Sequence, residues 1–180
     1  MNWRLILLQI HLPGLLKRRG LTELWQRTVR AFGRESLDAG KRTYPAMLAA
    51  YAEYTRDQAL ACLQDRRDPG ETERRLRREA REMGDGLRRR LHLRTEADFR
   101  TALQLFYRTL GIDLRVSPAG QVVVRGCFFS KYYPAPVCRL ISALDDGLVE
   151  GLTGGHRLRF TQRITEGAAC CRAMMDNFKL

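Results

Sequence analysis

The sequence predicts an α+β fold: a helical part over residues 1–110, then an antiparallel β-β-α-β-β unit over 111–180, the two packed as one domain. Three observations lead there. Apolar residues recur at helical spacing as far as Leu110, the period changes to two beyond Gly111, and the strands arrive as hairpin neighbours. Strands of that kind leave the helices on one side of a sheet instead of winding them around both faces. At 180 residues the chain fits one domain, and with 44% hydrophobic content it can bury a core without a disulfide or metal staple.

Trp3 to Leu16 is apolar-rich but interrupted by Arg4, Gln9, His11 and Pro13-Gly14, and it falls short of the roughly 20 residues that span a bilayer. It reads as a short helix or strand docked on the body, or as a membrane-surface contact with Lys17-Arg18-Arg19 beside it. Leu21 to Phe32 is a helix with Leu21, Leu24, Trp25, Val29 and Phe32 on one face, ended by Gly33. Tyr44 to Leu63 is a second, with Pro45 in its first turn and Cys62 as a small buried hydrophobe. Asp65 to Arg94 is a charged stretch in which Glu73 pairs with Arg77 while Glu79 meets only Met83. It reads as a solvated helix or mobile linker, or as a basic arm for an acidic partner. Glu96 to Leu110 is an amphipathic helix capped by Thr95 with Asp98.

Ile112 to Val116 and Val122 to Val124 then form a hairpin about Ser117-Pro118-Ala119-Gly120. A loop with Tyr132 and Tyr133 leads to a helix from Val137 to Leu148. A half-buried strand over His156 to Thr165, a turn at Glu166-Gly167 and a strand over Cys170 to Met175 complete the unit.

The net charge of +12 rests almost wholly on arginine, since Lys17, Lys41, Lys131 and Lys179 are the only lysines. No nucleic-acid motif accompanies it, so specific nucleic-acid binding is not predicted. The odd set of five cysteines reads as reduced thiols in a cytoplasmic protein. A phosphate loop, a nucleophile-elbow serine and a metal-binding histidine pair are all missing from the sequence. Cysteine chemistry remains. Cys127 ends a strand, Cys138 begins a helix, and Cys170 and Cys171 enter the last strand, on opposite faces of it. In a β-β-α-β-β unit these places can converge at one end of the sheet, and a helix N-terminus would lower the Cys138 pKa. Cys127 and Cys138 read equally well as buried packing thiols, and Arg163 as a surface residue between core neighbours.

The run Cys127-Phe128-Phe129, Cys138, Asp145-Asp146, Gly151-Leu152, Arg163, Gly167 and Cys171 resembles the L-2-amino-thiazoline-4-carboxylic acid hydrolase family over about the last third of the chain. A similar rhythm of cysteines and glycines occurs in vinyl-reductase-like small-ligand-binding domains. Phe128 stands where family members often have proline, and Arg172-Ala173 follows Cys171 where Cys-x-Phe is common. The resemblance implies hydrolytic opening of a thiazoline ring to N-carbamoyl-cysteine, with no cofactor required. It implies Cys127, then Cys138, as nucleophile unless an activated water serves. Asp145 or Asp146 would transfer the proton, and Arg163 would grip the substrate carboxylate. Tyr132 and Tyr133 would cover the site, with Cys171 beside the substrate. Besides this small-molecule substrate, the competing expectation is a binding or sensor module whose cysteines hold a metal ion or line a pocket for a small hydrophobic ligand. Oligomeric state is left open.

Overall fold

The computed structural model describes residues 3–10, 12–34, 42–64 and 68–176. Five helices precede the sheet: α1 (Trp3–Ile10), α2 (Gly14–Ala31), α3 (Tyr44–Gln64), α4 (Pro69–Leu91) and α5 (Glu96–Thr109). They are followed by β1 (Ile112–Val116), β2 (Gln121–Cys127), α6 (Ala135–Ile141), α7 (Ala143–Thr153), β3 (Leu158–Gln162) and β4 (Cys171–Met175). The fold is α+β. The four strands form one antiparallel sheet in the order β1-β2-β4-β3.

Local chemistry accounts for most boundaries. Thr95 and Asp98 cap α5 reciprocally, the Thr95 side chain accepting from the Asp98 N–H and the Asp98 carboxylate accepting from the Thr95 N–H, each at 3.2 Å. Gly120, at φ +77, closes the β1–β2 turn. The strands alternate as a half-buried sheet must: Ile112, Leu114, Val122, Val124, Cys171, Ala173, Met175 and Leu158 face the core. That core is continuous through the helical part and the sheet.

Four sequence expectations are corrected. Helix α2 starts at Gly14, so Lys17-Arg18-Arg19 lie in its first turns, where solvent tolerates them. The charged stretch, whose residues 65–67 lie outside the described residues, is no linker. Asp68 caps α4 by accepting from the Gly70 N–H at 2.9 Å, and Leu76, Ala80, Met83 and Gly84 form a fully buried stripe along it. The expected 137–148 helix is two, broken at Ser142, whose hydroxyl donates to the Arg139 carbonyl at 2.7 Å. The third strand is shorter than expected, because the chain turns into a 3-10 segment at Ile164–Glu166 ahead of Gly167 at φ +90.

Among the described elements, helices α4 and α7 make the most extensive contact. Their backbones meet through Gly84, Gly147 and Gly151. A Cβ on Gly84 would stand 2.6 Å from the Leu148 carbonyl oxygen, and one on Gly151 would stand 2.7 Å from the Asp85 nitrogen. This crossing fixes the start of α7, where Asp145 and Asp146 lie.

Candidate functional site

The core-facing side of the sheet, α6, α7 and the inner faces of α3 and α5 line a partly open cavity of about 100 Å³. Cys127, Cys138, Asp145 and Cys171 all line it. Cys127 arrives there through a β-bulge. Pairing slips between Asp113 and Leu114, so Arg125 is the extra residue on β2 and the alternation reverses beyond it. Without that slip Gly126, not Cys127, would share the face of Val122 and Val124. Cys171 opens β4 on the inward parity of Ala173 and Met175, and its Sγ accepts from the Ile164 N–H at 3.3 Å. Cys138 lies in the second turn of α6.

Asp145 sits in the first turn of α7, and the Tyr107 hydroxyl of α5 donates to its Oδ1 at 2.5 Å. Burial pushes the Asp145 carboxyl up to about 6; the Tyr107 hydrogen bond and the Arg163 charge oppose the rise, while Asp146 adds to it. Burial and the Asp145 charge hold the Tyr107 hydroxyl well above the ordinary tyrosine range, so it stays a donor across the physiological range. The cavity thus contains a carboxyl that changes charge close to neutrality.

The thiols behave differently. Burial pushes Cys127 up to about 11, against the pull of the Phe129 and Ser130 backbone N–H groups. Burial also raises Cys138 and Cys171. The lowered pKa expected for Cys138 is therefore corrected. Helix α6 has only seven residues, and the Cys138 N–H is already committed to the Pro134 carbonyl, so desolvation wins over the helix dipole.

Arg163 stands just behind the wall. Its Nη2 donates to Ser142 Oγ at 2.9 Å, and Ser142 lines the cavity. The guanidinium lies over the Phe160 ring at 4.3 Å, and its Nη1 is buried with no hydrogen-bond partner among the described residues. Its charge reaches Asp145, Cys138 and Cys171, pulling each pKa down. Tyr133 forms part of the cavity wall, its hydroxyl paired with Thr55. Tyr132 lies outside the lining, against Phe128 and under the Lys131 ammonium.

Asp146 parts from Asp145. It receives Arg157 Nε at 3.0 Å and Nη2 at 2.6 Å, accepts from the Leu158 N–H at 2.9 Å, and sits 3.3 Å from Arg77 Nε. It ties α7 to β3 and α4 and does not line the cavity. Sequence reasoning did not single out Tyr107 and Tyr51, buried residues of α5 and α3; only their position beside Asp145 and the thiols gives them meaning. Among the described residues no group of histidine, cysteine and carboxylate side chains could hold a metal ion. No protein-family model matches the chain, and no curated protein matches it.

Proposed function

We propose that the cavity around Asp145 binds and hydrolyses a small cyclic amidine-type C–N/C–S substrate of the 2-amino-thiazoline-4-carboxylate kind. The observation that carries this reading is Asp145 itself, a carboxyl brought to about 6 and oriented by Tyr107 in the wall of a cysteine-lined cavity. A volume of about 100 Å³ is below the roughly 150 Å³ that accepts benzene, so the cavity limits the substrate to a single small ring and its walls must give to admit the ring's substituents.

With the thiols held neutral by burial, water is the better nucleophile. Ionised Asp145 takes a proton from a water that adds to the amidine carbon. The C–S bond then breaks as the added hydroxyl becomes the ureido carbonyl, its proton passing to the ring nitrogen, while the departing sulfur receives the other proton back from Asp145. The ring nitrogen keeps its place as the ureido nitrogen, so one water is consumed and N-carbamoyl-cysteine results. Arg163, behind the wall and donating to Ser142, attracts the substrate carboxylate by its charge, with the Ser142 hydroxyl between them. Five free thiols suit a reducing cytoplasmic setting.

The test is incubation with 2-amino-thiazoline-4-carboxylate, with N-carbamoyl-cysteine followed by mass spectrometry. Loss of a general acid–base group predicts that Asp145→Asn loses turnover by at least ~100-fold, while Cys127→Ala keeps most of it. An Asp145→Asn variant as active as the parent would overturn the assignment. Abolition by Cys127→Ala alone would restore the thiol as nucleophile. A second reading, non-catalytic binding of a small hydrophobic ligand, draws on the three protonated thiols, and ring binding without turnover would favour it.

A further inference from the structure

We propose that the exposed leucines of α1 and of the start of α2 dock the protein on an anionic membrane surface. Leu5 is buried against the body and anchors α1, which leaves Leu7, two residues on, 56% exposed. At the start of α2, Leu15 is 82% exposed and Leu16 46%. These three, with Leu63 and Met174, are the exposed large hydrophobic residues among those described, so most of that surface is concentrated within ten residues of chain. Leu16 also lines an apolar groove of about 280 Å³ that runs beneath α1 past Leu8, Leu12, Leu87 and Leu91. The apolar edge is therefore backed by apolar space.

The charge beside it selects the partner. Lys17, Arg18 and Arg19 follow Leu16 directly. Arg19 is exposed and makes no ion pair among the described residues, and Arg18 donates to the Arg42 carbonyl. Leucines that enter the headgroup boundary beside cations that face lipid phosphates are the arrangement of an interfacial segment. A second copy of this chain fits less well, because it would set the same cations against each other on a molecule of net charge +12. A polyanion such as RNA would leave the leucines in water. No described helix is long and apolar enough to cross a membrane, so the contact is with the surface.

Sedimentation with vesicles of phosphatidylcholine alone, or of phosphatidylcholine with phosphatidylglycerol, tests this. Binding is expected to the anionic vesicles, to weaken at least ten-fold in neutral vesicles, and to fall at high salt as surface charge is screened. The double variant Leu15→Glu, Leu16→Glu changes exposed positions, so its circular dichroism and melting should match the parent while its vesicle binding drops at least ten-fold. Equal binding of parent and variant, or none by the parent, overturns the proposal. So does a concentration-dependent dimer that the same variant abolishes, which would assign the patch to a second copy.

Discussion

Replacing Gly147 with alanine should destabilise the protein although it improves helix propensity. In an open helix the exchange gains up to about 1 kcal/mol. At position 147 the new methyl group would stand 2.8 Å from the Arg77 carbonyl carbon and closer still to its oxygen. Carbon contacts relax at about 3.5–4.0 Å, so α4 and α7 would have to part by on the order of 1 Å. Overpacking of a well-filled contact costs about 1–3 kcal/mol, and here backbone meets backbone, with no side chain to yield. A net loss of about 2 kcal/mol follows, a fall of roughly 4–8 °C in melting temperature for a domain of this size. Gly86→Ala, on the partner helix α4 with only Arg90 Nη2 within 4.0 Å, provides the control and should be neutral or stabilising. Thermal and urea unfolding followed by circular dichroism would read both. If Gly147→Ala matches Gly86→Ala, the close crossing and its role in placing Asp145 are wrong.

Three further outcomes are expected. Asp145→Asn should stabilise the protein near neutral pH by on the order of 2–3 kcal/mol, because the folded carboxyl titrates at about 6 against an ordinary 3.8. A raised carboxyl pKa means that the parent loses stability as pH rises from about 4 to 6, so the difference should vanish in melts near pH 4. Asp146→Ala should cost about 2 kcal/mol in urea unfolding, leaving the Arg157 guanidinium and the Leu158 N–H without their acceptor, while the Asp145 site of the folded fraction keeps its activity. Iodoacetamide at pH 7.5 should label Cys127 at least ten-fold more slowly than it labels a free thiol, and mass spectrometry should find the difference gone in denaturant.

The fold was legible wherever one residue dictates one conformation. The Thr95–Asp98 cap, the positive-φ glycines at 33, 111, 120 and 167, and the change of period after Gly111 need no tertiary information. Helix α4 shows the limit. Its charges dominate the composition, and the stripe that matters, Leu76, Ala80, Met83 and Gly84, includes a glycine whose value lies in letting α7 come close. The break at Ser142 was hidden for a similar reason, since the apolar spacing continues through it and only the hydroxyl bonds to Arg139 and Arg163 reveal it.

In the candidate site, the chain positions of Cys127, Cys138 and Cys171 suggested a meeting point, and the three do line one cavity. Their protonation was not readable, because desolvation depends on neighbours far away in sequence. Nor could adjacent Asp145 and Asp146 be separated. Consecutive residues on a helix point about 100° apart, and which one faces the cavity depends on the α4–α7 crossing.

The pH dependence of thiazoline-carboxylate turnover, in the parent and in Tyr107→Phe, tests the role of Asp145 most directly. With Asp145 as base, turnover should fall as pH drops through about 6. The Tyr107 hydrogen bond holds that pKa down, so its removal should move the midpoint to higher pH without changing which limb is lost. A profile flat between pH 5 and 7, or a midpoint unmoved by Tyr107→Phe, would contradict the account.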